Sequence, residues 1–139
     1  MSKLKALFGW FRVLKARPDD PDGSGGWIGV DLDGTLAHYD GWMGHYHIGE
    51  PIEPMLERVQ NWVSEGQEVR IFTARASVKE HKKFVELWLR QQGLENLQVT
   101  NLKDYGMIEL WDDRCIQIAP NSGQPVGTPG ISCNKAALN

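Results

Sequence analysis

Two pairs of aspartates, Asp31 with Asp33 and Asp112 with Asp113, are the residues of this chain best placed by type and spacing to do chemistry. The first pair follows an apolar run, Trp27 to Val30, which is bounded by Gly25-Gly26 before it and Gly34 after it and reads as a buried strand. Side chains alternate along a strand, so Asp31 and Asp33 would share a face if the strand continued. Gly34 favours a turn instead, leaving both acids at the carboxyl edge of a sheet, where open α/β folds place their ligands. In a dry site such carboxylates repel each other unless a cation or a proton lies between them. Taken in isolation, Asp-x-Asp-Gly-Thr also suits a polar turn that caps a helix.

The full run Asp31-Leu32-Asp33-Gly34-Thr35-Leu36-Ala37 resembles the first motif of the haloacid-dehalogenase superfamily of phosphohydrolases. The resemblance covers roughly Trp27 to Pro120 and implies a three-layer, Rossmann-like α/β fold with a mainly parallel sheet. It implies that Asp31 attacks phosphorus to form an aspartyl-phosphate, and that Asp33 protonates the leaving group and then activates water. A carboxylate nucleophile divides one hard displacement into two easier ones, and a neighbouring acid can donate and later accept the same proton. Thr73, ending the apolar segment Glu68 to Phe72, matches the second motif and would contact the phosphoryl oxygens with help from the turn at Ala74 and Arg75. Lys103 matches the lysine that neutralises phosphate, and Asp112-Asp113 matches the acidic pair that completes a Mg²⁺ site with the Asp31 carboxylate and the Asp33 backbone carbonyl. Asp112 is the favoured direct ligand, with Asp113 acting through water or orienting Lys103. Asp112-Asp113-Arg114 also resembles the phosphatase half of polynucleotide kinase-phosphatases, which places Arg114 near the substrate and suggests a nucleotide or nucleic-acid 3′-phosphate. A non-catalytic phosphate-binding scaffold, a small-metabolite phosphatase and a phosphotransferase stand as alternatives.

The elements needed to hold these residues are visible in the pattern. A helix is expected from Glu53 or Pro54 to Glu65, with Met55, Val59, Trp62 and Val63 inward and Gly66 at its end. A second is expected from Val78 to Gln92, with Phe84, Val85, Trp88 and Leu89 inward and Lys79, Lys82, Lys83 and Arg90 on a solvated face. Strands follow at 97–100 and 107–111, with a last short one at 115–118 at the sheet edge. The passage from Thr100 to Met107 is short for a parallel crossover, which normally takes a dozen residues or more. About seven extended residues span roughly 23 Å, so a single turn around Asp104 to Met107 suffices.

Between Thr35 and the first helix lies a loop, His38 to Gly49, dense in aromatic, histidine and glycine residues. It leaves the catalytic strand directly and should fold over the mouth of the site. Tyr39, Trp42 and Tyr46 suit either stacking on a substrate ring or packing of the loop itself. His45-x-His47 on such a loop is a weak zinc signal. The superfamily often inserts a cap domain here, and this short loop implies a capless site.

With 139 residues, 41% apolar and 24% charged, the chain is one domain's worth of ordinary globular composition. The net charge of −3 argues against a protein that coats nucleic acid. Cys115 and Cys133 form neither a metal motif nor a disulfide framework, which makes a reducing cytoplasm the default compartment. Residues 1–26 comprise a basic amphipathic stretch, 1–17, suited to docking on a protein surface or to contact with a membrane surface, and a Pro/Gly/Asp-rich linker. The stretch is too short to span a bilayer. The phosphatase domain is placed at 27–120 and an irregular tail at 121–139.

Overall fold

The computed structural model describes residues 25–127; the amino-terminal amphipathic stretch and most of the tail, including Cys133, lie outside the described residues. Element order is β1 (Trp27–Val30), α1 (Glu53–Ser64), β2 (Glu68–Phe72), a 3-10 turn (Ala74–Ser77), α2 (Lys79–Gln91), β3 (Gln98–Thr100) and β4 (Met107–Trp111). All strand pairs are parallel and their spatial order is β3-β2-β1-β4. The protein is thus an α/β domain built on a four-stranded parallel sheet.

Strand alternation sorts the sheet residues by face. The register pairs Ile28 with Val69, Val30 with Ile71 and Ile71 with Val99, so these five share one face. Met55, Leu56 and Val59 of α1 and Val85, Trp88 and Leu89 of α2 join them in a single apolar core. Both helices therefore cover the same face, as two successive right-handed crossovers stepping in one direction require. The described residues form two layers rather than three, and among them no helix covers the other face. That second face carries Trp27, which is buried beneath the guanidinium of Arg70, 4.4 Å from its ring. No helix among the described residues is long and apolar enough to cross a membrane.

Local signals set the helix limits. Pro54 stands in the first turn of α1, and Gly66, at φ +83°, ends the connection by adopting a conformation that disfavours other residues. Two inward assignments change. On α1, Leu56 is buried and Val63 is exposed, whereas Trp62 packs against the core and edge-on to Trp111 of β4, 5.2 Å between rings. On α2, Phe84 is half-buried against His45 of the long loop, 5.3 Å between rings, and stands outside the core.

The crossover from β3 to β4 contains no helix and is closed by a turn in which Met107 N–H donates to the Asp104 carbonyl at 3.2 Å. Asp104 fastens it to the sheet. Its carboxylate accepts from the Trp27 indole at 2.7 Å, from Gly106 N–H at 2.8 Å and from Arg70 at 3.0 Å. The indole bond is the foremost reason the Asp104 carboxyl lies below its ordinary range. Residues 115–118 do not extend the sheet, so β4 is its edge. Ile118 instead bridges Pro125 in a small hairpin, with Val126 N–H bonded to the Gln117 carbonyl at 2.7 Å. That hairpin straddles the expected boundary at 120, and a left-handed Asn121 at φ 60° turns it.

Candidate active site

Asp31 is the first residue beyond β1, and its N–H is bonded to the Trp111 carbonyl of β4 at 2.8 Å. This bond brings the end of β1 beside Asp112 and Asp113. Leu32 and Leu36 are fully buried, and Leu36 and Ala37 N–H groups both donate to the Leu32 carbonyl. The chain thus makes a tight turn anchored by two leucines, and the two aspartates are left at the carboxyl edge. Asp31, Asp33, Thr73, Ala74, Arg75, Asp112 and Arg114 line one open cleft of about 610 Å³. Seven of the residues singled out in the sequence therefore converge.

Oxygens of Asp31, Asp112 and Asp113 lie within 4.8 Å of one another. Burial, followed by the charge of Asp112 and then of Asp113, pushes the Asp31 carboxyl up from its ordinary 3.8 to about 7. Three carboxylates converging on one point form an all-oxygen donor set of the kind that could hold a hard divalent cation such as Mg²⁺. The Asp33 side chain is not in this cluster. Asp113 reaches the cluster because residue 34 is glycine: at φ +90°, a Cβ there would stand 2.5 Å from the Asp113 carboxylate. Thr35 completes the hold, its hydroxyl accepting from Asp113 N–H at 3.1 Å. Asp112, the less exposed of the pair, lines the cleft and accepts from Arg114 N–H at 2.7 Å.

Arg75 departs most from expectation. The sequence placed it in the turn that would help Thr73 contact phosphoryl oxygens, yet it is 5% exposed and its donors are committed inside the protein. Its guanidinium grips both oxygens of Asp33, at 2.7 and 2.8 Å, and donates to the carbonyls of His45 and His47 at 3.2 and 3.0 Å. Its planar fork explains why one side chain can serve a carboxylate and two carbonyls together. One arginine fixes the candidate acid and base and fastens the long loop. No sequence pattern signalled this role, since it depends on where the loop comes to rest.

Thr73 is buried, and its hydroxyl oxygen accepts from Arg75 N–H at 3.2 Å, which leaves the hydroxyl proton for the cleft. Lys103 is exposed, is absent from the cleft lining and makes no ion pair among the described residues. The tight crossover pinned at Asp104 turns residues 102 and 103 toward solvent. Asn101, two residues earlier, does line the cleft, as do Ser77 and His81, which the sequence gave no reason to single out.

The loop from 38 to 49 lies over the carboxyl edge and carries no cap domain, only isolated bridges at its two ends. His45 stacks on His81 of α2, 4.8 Å between rings and 6° from parallel, and the Trp88 indole donates to the Gly49 carbonyl at 3.0 Å. Of its aromatics, Tyr39 and Trp42 face the cleft, whereas Tyr46 rests edge-on against His45. The three aspartates are the only candidate metal-holding group among the described residues, and the loop histidines form none.

Fold and site together define an α/β domain with an acidic, oxygen-rich cleft at the carboxyl edge of its parallel sheet. In comparisons of the chain with protein-family models, curated proteins and solved structures, none matches.

Proposed function

We propose that the protein is a Mg²⁺-dependent phosphomonoester hydrolase working through an aspartyl-phosphate, on a haloacid-dehalogenase-like fold. The observation that carries this reading is the convergence of Asp31, Asp112 and Asp113 within 4.8 Å, in a cleft that also holds Asp33 and Thr73. The three-layer form of that fold would need the second sheet face, bearing Trp27 and Arg70, to be covered as well.

In this mechanism an Asp31 oxygen forms a bond to phosphorus as the bond from phosphorus to the leaving oxygen breaks. Asp33 delivers a proton to that oxygen. It then takes a proton from water, whose oxygen attacks phosphorus and releases phosphate, restoring the Asp31 carboxylate. Each Asp33 oxygen spends one lone pair on Arg75 and has a second for this proton. Bidentate clamping holds the carboxyl in one orientation, which is what transfer over hydrogen-bond distance demands. Thr73 donates its hydroxyl to a phosphoryl oxygen, and the guanidinium of Arg114, unpaired among the described residues, faces the substrate's charge. Lys103 stands outside the cleft, so in this mechanism Arg114 supplies the cationic contact to the phosphate. A bound Mg²⁺, held by Asp31, Asp112 and Asp113, would screen the phosphate from the acidic cluster.

Phosphate release from a panel of aryl, sugar and nucleoside phosphates, with Asp31→Asn and chelator controls, tests the proposal. Turnover that needs both Mg²⁺ and Asp31 is expected. Activity that survives Asp31→Asn would overturn it.

A further inference from the structure

The cleft is larger than a phosphate needs, and its far wall is built for something else. At about 610 Å³ it falls within the range of sites that enclose a whole small molecule. Asp31, Asp112 and Arg114 furnish its ionic part and Thr73 a hydroxyl; Tyr39, Trp42, His81 and Phe72 furnish an aromatic part. Trp42 is 56% exposed, an unusual state for a tryptophan inside a cleft. The guanidinium of Arg75 lies 5.0 Å from its ring centroid, and the tilted His81 ring is 5.8 Å away. The wall is also held in advance of any ligand, since Arg75 bonds the loop carbonyls while anchored to Asp33. Asn101 adds a polar group: its amide donates to Ser77 at 2.9 Å, leaving its carbonyl oxygen and one N–H to meet a ligand.

Resting on the phosphohydrolase reading above, we infer that the cleft takes a nucleoside monophosphate, its base stacked on the exposed ring of Trp42 and its phosphate at Asp31 and Arg114. Stacking on a fixed aromatic is strong and tolerant of base identity. A single nucleotide fits better than a strand. Among the described residues lining the cleft, Arg114 is the cation with no carboxylate partner, whereas a strand is tracked by a run of them.

Calorimetric titration of Asp31→Asn protein in Mg²⁺ with nucleoside 3′- and 5′-monophosphates, ribose 5-phosphate and inorganic phosphate separates the two readings, because it needs no turnover. A nucleotide is expected to bind about tenfold or more tightly than ribose 5-phosphate. Trp42→Ala should abolish that difference and Trp42→Phe should preserve most of it, while inorganic phosphate binding by both variants reports an intact site. Equal affinity for nucleotide and ribose 5-phosphate would overturn the inference. So would a 3′-phosphorylated oligonucleotide that binds at least tenfold more tightly than the mononucleotide with a steep salt dependence. Absence of turnover in the wild-type chain alongside selective nucleotide binding would sink only the hydrolase reading.

Discussion

Asp31 carries a charge conflict that should be measurable without any substrate. Its carboxyl is pushed up to about 7, so the folded metal-free chain holds a proton that the unfolded chain releases near pH 3.8. A raised pKa means that this group's contribution to stability is complete below the unfolded value and is lost as pH rises through the folded one. With chelator present, the Tm is expected to fall between about pH 4 and pH 7 through this group, and Asp31→Asn should flatten that slope. Added Mg²⁺ should raise Tm more at pH 8 than at pH 5, because protons and cation compete for the same oxygens. A Mg²⁺ shift that is equal at both pH values would contradict the cluster as the cation site. Arg75 offers a second test. Removing one partner of a largely buried pair costs about 3 to 5 kcal/mol, and solvent access to Asp33 brings the expectation for Arg75→Ala to roughly 2 to 4 kcal/mol. Lysine, a single point of charge, should fail to restore the two-oxygen grip. Urea melts of both variants read the cost, and stability within 1 kcal/mol of wild type for Arg75→Ala would show the clamp to be dispensable. The aspartates were legible in the sequence because they abut strand ends, whose position local pattern fixes. Arg75 was visible only as a residue beside Thr73, since its partners, Asp33 and the carbonyls of His45 and His47, come from distant stretches.

Strands and helices were read to within a residue or two because apolar alternation and glycine or proline punctuation coincide at their ends. The errors fall where helices meet side chains from distant stretches. Trp62 turns toward Trp111 and Phe84 toward His45, contacts that no window of local sequence contains. The strand expected at 115–118 failed for a related reason: its apolar residues pair within a hairpin to Pro125 and Val126, leaving β4 as the sheet edge. Leu89, almost fully buried between α2 and the sheet, is the test of helix packing. Leu89→Ala should cost about 2 to 5 kcal/mol by denaturant melting, whereas Val63→Ala, at the exposed position on α1, should cost under about 1 kcal/mol. Equal losses at the two positions would mean that the helices do not pack as described.

At the scale of the whole molecule, the sheet is stabilised unevenly. β1 lies between β2 and β4, β2 lies between β1 and β3, and their residues Val30 and Ile71 are completely buried. β3 and β4 are edges, and among the described residues the helices cover a single face. Amide exchange should therefore be slowest in 28–30 and 69–72 and appreciably faster in 107–111, with the 115–126 hairpin fastest of these. Uniform protection across all four strands would indicate that the second face is covered to the same degree as the first.

The double duty of Arg75 ties events at the mouth of the cleft to geometry at its floor. A guanidinium that binds Asp33 and the loop carbonyls at once couples the seating of the loop to the orientation of Asp33. Linkage of this kind is reciprocal. A ligand that favours the seated loop favours the clamped Asp33 to the same extent, so under the proposed mechanism recognition of a substrate's remote ring would become a way of timing proton transfer at its phosphate.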